Sequence, residues 1–448
     1  MTQPTHSTPP SADKPSWFAR FKVLNALRQP KVAVMLALGF SSGLPFLLTA
    51  NTFGYWLRDD GTSLVAIGFI SWVGFAYAFK VYWSPLVDRI DVPLLGRLGR
   101  RRGWMLLCQI LVTFGLLGMA AVGTAGGLVA IGAFALLTAF ASATQDIAID
   151  AWRIEAASNE DEVGLMTSAA QLGYRIALLI TDALIIAAAA RVGWAMSYVG
   201  MAVLMALCTL ATLFATEPAR ADVVLHQKPP LWTLRGIGDA IVGPFVDFFA
   251  KHKGAGLIIL LMVALYRLPD FVMGPMYNPY YHDLGLSKDT VAWVRGSFGL
   301  VATFVGIAAA GLSAVRVGFL PTLVAGLVLE GVGTAAFALL SIHPSTEMFA
   351  AVMTLDAFAQ SFAGVALVTY MSSLTSLGYT ATQYAMLSST YALLGKFLKG
   401  FSGIGVETLT PTYGLLGAYA TAFVATGLTA IPPLLLLLLL WRMQRLKV

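Results

Sequence analysis

Charge is scarce in this sequence. Of 448 residues only 12% are Asp, Glu, Lys or Arg, against 58% apolar, and the mean hydropathy is +0.76. A soluble domain carries about a quarter charged residues, so an ordinary cytosolic enzyme and a disordered chain are both excluded. Cysteine is nearly absent. Cys108 and Cys208 both sit in apolar runs, which excludes a disulfide-stapled secreted scaffold and leaves two small inert hydrophobes. The five histidines, His6, His226, His252, His282 and His343, fall in expected tails or loops. A helix-borne metal site or His proton relay is therefore not expected. No glycine-rich phosphate loop of the Walker type occurs, so an ATP motor on this chain is excluded. Acids number 23 against 29 Lys and Arg, a net charge of +6. In a chain this apolar, that excess speaks of membrane orientation, not of nucleic-acid binding.

What the sequence does have is long apolar runs. A span needs about 20 mostly apolar residues, and windows of that kind lie at 32–57, 64–86, 104–123, 127–150, 163–190, 194–215, 256–281, 291–314, 317–341, 347–371, 384–408 and 414–441. Alternating polarity is absent, which excludes a β-barrel, and in lipid that leaves helices. The expected organisation is an all-α integral membrane protein with an N-terminal tail (1–31), a six-helix half (32–216), a polar linker (217–255), a second six-helix half (256–441) and a short tail (442–448). Residues 1–30 have no apolar core before about Val32, which reads as a cytoplasmic tail rather than a secretion signal.

With the N-terminus inside, twenty Lys and Arg fall on the cytoplasmic side and only Arg58, Arg191 and Lys288 on the other. That is a strong positive-inside bias, and it puts both termini in the cytoplasm. In the linker, Leu231, Leu234, Ile237, Ile241, Phe245, Phe248 and Phe249 recur at helical spacing with Arg235, Asp239 and Asp247 between them. This predicts an amphipathic helix on the inner membrane surface.

Ionisable residues within spans cost a few kcal/mol each and are functional candidates by default. Asp146 and Asp150 are four apart on one helix face. Two like charges there suit reversible proton binding, although Asp150 is also placed to pair with Arg153. In the fifth window, Arg175 and Asp182 lie two turns apart, near Gln171 and Tyr174. An Arg is a natural clamp for a carboxylate, and an internal ion pair with Asp182 is an equal reading. Tyr266-Arg267-Leu-Pro269-Asp270 sets a charge pair beside a helix-breaking Pro, and broken helices are where transporters place their binding sites. Lys80 is near its helix end and is also placed to snorkel. Glu330 is mid-span with no base beside it in the sequence. Asp356 lies near its helix start and is expected to face outward, and Lys396 or Lys399 could neutralise either acid. A polar cargo path would draw on Asn51, Tyr77, Gln109, Gln145, Gln171, Tyr174, Gln360 and Gln383.

The inner loop Ser84-Pro-Leu-Val-Asp88-Arg89 followed by Gly99-Arg-Arg-Arg-Gly103 resembles the loop signature of the major facilitator superfamily, where it works as a latch between helices. Asp88, Arg89, Arg101 and Arg102 are thus gating candidates. Further stretches join it: Gly39-Phe-Ser-Ser-Gly-Leu-Pro45, Ser142-Ala-Thr-Gln145-Asp146 through Asp150-Ala-Trp152, Gly173-Tyr174-Arg175, Leu265-Tyr266-Arg267 with Asp270, Leu300 to Gly306, and Ala381-Thr382-Gln383-Tyr384-Ala385. Together the set resembles the AmpG-type muropeptide permeases of that superfamily. The resemblance implies twelve helices in two pseudo-symmetric halves and a monomer in the bacterial inner membrane. It implies proton-driven import of GlcNAc-anhydroMurNAc, with or without its stem peptide, for peptidoglycan recycling and β-lactamase induction. No enzyme activity and no cofactor beyond the proton gradient are implied. Some members carry further hydrophobic segments after the twelfth helix, whereas this sequence stops at Val448. Its tenth window reads Leu-Asp356-Ala where relatives carry Glu-Asn.

On this reading the proton is carried by Asp146, then by Glu330, Asp182 or Asp150. Lys80, Arg175 and Arg267 hold anionic cargo or neutralise the acid when the site is empty. A porter for another sugar, peptide or drug is the alternative. A membrane enzyme on a lipid-linked sugar would need a polar cluster in an outer loop, and the outer loops are too short for one.

Overall fold

The computed structural model describes residues 29–62, 73, 75–218, 229, 233–398 and 401–445, and every described element is helical. Among the described residues, nine helical segments are long and apolar enough to cross a membrane. The first is Pro30–Asp59, where the chain leaves helical geometry at Thr49-Ala50 and resumes at Asn51–Asp59. The third, fourth and sixth spans are Arg100–Val122, Leu128–Ala156 and Trp194–Phe214. The second lies mostly outside the described residues, which pick it up from Phe75–Phe79 to Ser84–Arg89. The fifth starts on three acids, Glu160 to Glu162, and passes through a π turn at Ile180–Leu184.

In the second half the seventh span runs Ala255–Tyr266, breaks at Arg267, and continues through Leu268–Met273 to Tyr277–Asp283. The break falls where the proline rule puts it. The eighth (Lys288–Val294, a π turn, then Leu300–Val317), ninth (Phe319–Ala336) and tenth (Thr346–Leu374) follow. The eleventh is Thr380–Leu398 with the start of Ser402–Leu428. That second run turns a corner at Gly414, whose φ of 69° favours glycine. Beyond it lies the twelfth span, completed by Ile431–Arg445.

The packing repeats between the halves. The first span lies on the fifth as the seventh lies on the eleventh, and the third pairs with the fourth as the ninth does with the tenth. Across the middle, the fifth span meets the eighth and tenth, while the second and fourth meet the eleventh. Each half has its own apolar core, one around Trp56, Leu116, Trp194 and Tyr198, the other around Met262, Tyr266, Leu327 and Leu367.

In lipid there is little hydrophobic drive between helices, so close approach of backbones does the work. At the first–fifth crossing, a Cβ on Gly173 would collide with the Leu36 carbonyl and sit 2.7 Å from the Phe40 amide, and one on Gly39 would strike the Ala170 carbonyl. Gly173→Leu should therefore destabilise by about 1–3 kcal/mol, read as a lower melting temperature in detergent. Gly200→Leu should leave melting unchanged, because nothing lies within 4 Å of its built Cβ.

Candidate functional site: a polar path between the halves

Three connected chambers lie between the halves. The largest, about 840 Å³, is lined by Arg175 from the fifth span and by Asp270, Tyr277, Arg295, Asp356 and Gln360 from the second half. It shares Arg175 and Gln360 with a second chamber of about 340 Å³, to which Gln171, Tyr174, Arg267, Phe271 and Tyr391 contribute. Tyr391 also lines the third, about 150 Å³, with Tyr77, Lys80 and Ser388. Phe271 and Tyr391 stack at 6.1 Å with 13° between their planes.

Arg267 organises the second-half wall. Its guanidinium is ion-paired with Asp270, stands 3.4 Å from Glu330 through Nε, and donates from Nη1 to the Gln360 carbonyl at 2.9 Å. The helix break lets it turn toward both the cavity and the ninth span. Gln360 in turn donates to Asp356 at 2.8 Å. One guanidinium thus contacts two buried or half-buried carboxylates, and the Gln360 side chain holds a third, Asp356. Neither Glu330 oxygen has a hydrogen-bond partner among the described residues, nor does Oδ1 of Asp356. In the first half, Ser42 donates to Asp146 at 2.5 Å, and neither lines any of the three chambers; Tyr77, which does, packs edge-on against Phe46.

Several expectations are corrected. Glu330 does have a base beside it, Arg267, brought in from another helix. Asp356 does not face outward: it is buried and lines the large chamber. Asp150 is paired with Arg153 at 3.1 Å, and Arg153 is itself held by Thr167 and lies over the Tyr384 ring. Gln109 and Gln145 line none of the three chambers. Both donate to Ser41 Oγ, at 3.0 and 2.8 Å, and Thr212 donates back to Gln109. A buried amide in lipid must find a partner, and a neighbouring helix supplies it here. Asn51 is exposed where the first span resumes and lines none of the three chambers. Gln383 bonds to Ser376, Pro244 and Asp247 at one end of the bundle, away from the cargo path. The side chains of Asp182, Lys396 and Lys399 lie outside the described residues.

At the basic end of the bundle the two halves are bridged by a buried cluster of polar contacts. Arg101 is fully buried. Its Nη2 donates to Asp88 at 2.8 Å and to Glu155 at 2.6 Å, and its Nε donates to the other Glu155 oxygen at 3.0 Å. Asp88 crosses between the halves, accepting from the amides of Ala381 (3.1 Å) and Thr382 (2.8 Å) and from the Thr382 hydroxyl (2.7 Å). Arg89 pairs with Asp239 of the linker. Arg102 plays no part in the crossing: it donates to the Thr212 and Leu213 carbonyls and so caps the sixth span. Glu155, Tyr391 and Asp239 have no signal in the sequence that would single them out as site residues. Glu155 offers only an acid at the same end as a run of three arginines.

Comparison with known proteins agrees with this architecture. A family model described as acetyl-coenzyme A transporter 1 matches residues 31–129. By fold, the chain superposes on the major facilitator proton:xylose symporter XylE with a TM-score of 0.64 at 15% identity, covering 92% of this chain and 95% of that one. It matches the Escherichia coli fucose:proton symporter FucP at 0.66 and 12%, covering 91% and 97%. By sequence it is 31% identical to the putative transporter AmpG 4 of Rickettsia felis over 82% of this chain and 87% of that one. It is 34% identical to the anhydromuropeptide permease of Escherichia coli K12 over 86% and 76%. The chain has the fold of major facilitator transporters, and its likeness to these named relatives runs along most of its length: it belongs to the AmpG family of transporters.

Proposed function

We propose that the protein is a proton-coupled importer of anhydro-muropeptides, GlcNAc-anhydroMurNAc with or without the stem peptide, in the bacterial inner membrane, with both termini cytoplasmic. The relative named anhydromuropeptide permease supports the cargo class. The observation that carries the reading is the row of three polar chambers that share wall residues between the halves. Aromatic faces at Phe271, Tyr391 and Tyr174 suit sugar rings, Gln171 and Gln360 suit hydroxyls and amides, and Arg175, Arg267 and Lys80 suit carboxylates. The bridging contacts at the basic end act as a closed gate and leave this conformation to load from the periplasm. Asp146, with its lone Ser42 donor, and Glu330, behind Arg267, are the proton carriers.

A cargo carboxylate reaching Arg267 competes with Glu330 and Asp270 for the same guanidinium. Glu330 then loses its counter-charge in a dry site, where a carboxylate takes a proton instead. Cargo and proton thus favour each other's binding, which is what symport requires. Each inward proton supplies about 2.3 kcal/mol per 100 mV. The protein acts alone, as a monomer, and draws on no cofactor.

Purified protein in vesicles should accumulate labelled anhydro-muropeptide only under an inward proton gradient, and a protonophore should abolish the accumulation. Asp146→Asn should retain exchange of cargo between the two sides but lose gradient-driven accumulation. Accumulation by Asp146→Asn equal to the parent protein would remove Asp146 from the proton path.

A further inference from the structure

The linker between the sixth and seventh spans is built inside out. Its two helices are Leu234–Ile241 and Gly243–His252. The side turned away from the protein carries Leu234, Ile237, Ile241, Phe245, Val246 and Phe249, with Leu234 90% exposed. The side turned toward the protein carries Ala240, Pro244 and Phe248, all buried, together with Asp239 and Asp247. A linker resting in water has the reverse arrangement.

Both aspartates work on the gate. Asp239 is ion-paired with Arg89 of the first half and accepts from the Tyr379 hydroxyl of the second half at 2.5 Å. Asp247 accepts from Gln383 at 2.9 Å. The linker end is fixed as well, because Lys251 donates to the Leu374 and Thr375 carbonyls at the end of the tenth span. One carboxylate therefore ties the two halves together at the basic end, from a helix whose outer face is apolar.

We infer that the linker is a membrane-docked strap: its apolar face lies in the acyl layer of the leaflet at the basic end, and from there Asp239 holds the gate shut. The occupant is lipid because the linker's exposed apolar face adjoins the seventh span, where Phe249 lies against Gly256, and that span exposes Leu257 and Leu261. Those residues face bilayer in any membrane-embedded reading. Arg235 is exposed on the first of the two helices, in position for a headgroup phosphate. Opening the gate moves Arg89 and Tyr379 apart, so Asp239 must release one of them. The strap's seat in the leaflet thus enters the balance between the closed and open gate. The inference rests on membrane embedding and not on the identity of the cargo.

Two measurements test it, in a Cys108→Ala, Cys208→Ala background in vesicles of phosphatidylethanolamine and phosphatidylglycerol. A nitroxide on Ile237→Cys should collide with oxygen more than with a water-soluble nickel chelate. The opposite order, or spin–spin broadening from a second copy on that face, would overturn lipid docking. Ser388→Cys, in the innermost chamber, should react slowly with an impermeant maleimide applied from the basic side. Adding Asp239→Asn should raise that rate severalfold, and adding Tyr379→Phe, which removes one of the two ties, should raise it less. Tyr379→Phe also serves if Asp239→Asn fails to fold. Unchanged labelling in the variants that fold would overturn the strap. Neither readout uses cargo, so a failure here is distinct from a failure of the importer reading.

Discussion

Arg267→Ala should reduce gradient-driven uptake to background, below about 1% of the parent protein. Removing one partner of a buried ion pair leaves an uncompensated charge worth about 3–5 kcal/mol, a factor of about a hundred or more. Here the deletion strands two acids at once: Asp270 loses its ion pair and Glu330 loses the only cation near it among the described ion pairs, while the Gln360 carbonyl loses its guanidinium donor. The guanidinium for which cargo and acids compete is then gone, and with it the link between cargo binding and proton binding. Arg267→Lys should rescue only in part, because an ammonium is a point charge that cannot meet Asp270, Glu330 and the Gln360 carbonyl in the same planar fork. Melting in detergent separates the two possible causes of lost uptake. Arg267→Ala combined with Glu330→Gln should recover much of the thermal stability and none of the uptake. Near-parental uptake by Arg267→Ala alone would show that the cluster serves only folding.

The division between what is legible in the sequence and what is not follows from how these contacts form. Span positions depend on local hydropathy, and the seventh-span break depends on Pro269, so both can be read along the chain. The face that each span turns to its neighbours depends on all the other spans. Gln109 and Gln145 show the consequence: a buried amide in a span needs a partner, and the sequence does not say whether a wet cavity or an adjacent Ser41 provides it. Glu330 and Asp356 show it again. One looked unpaired and is beside Arg267, the other looked peripheral and lines the main chamber. The spacing of the linker's apolar residues predicts a polar face but not its partners, which are Arg89, Tyr379 and Gln383. The latch motif named Asp88 and Arg101 but not Glu155, which is 54 residues from its partner and carries no motif of its own.

That third member decides what happens when the latch is cut. Arg101→Ala should cost about 3–5 kcal/mol, the penalty for leaving buried carboxylates without their cation. Glu155 loses both of its guanidinium bonds, and Asp88 keeps only its donors from the eleventh span. Arg101→Lys should recover part of this, since one ammonium cannot span both Glu155 oxygens and Asp88 together. Arg102→Ala, next in the chain, should cost only about 0.5–1.5 kcal/mol, because it removes hydrogen bonds to half-buried or exposed carbonyls and strands no charge. The melting temperatures of the three variants in detergent give the ranking. The gate is also expected to open: with Asp88 unsupported, the crossing to Ala381 and Thr382 weakens, and Ser388→Cys in the innermost chamber becomes reactive from the basic side in Arg101→Lys while remaining protected in Arg102→Ala. If Arg101→Ala melts with Arg102→Ala, the buried Arg-Asp-Glu cluster is not what holds this end of the bundle closed, and closure must rest on the packing of the second and fourth spans against the eleventh.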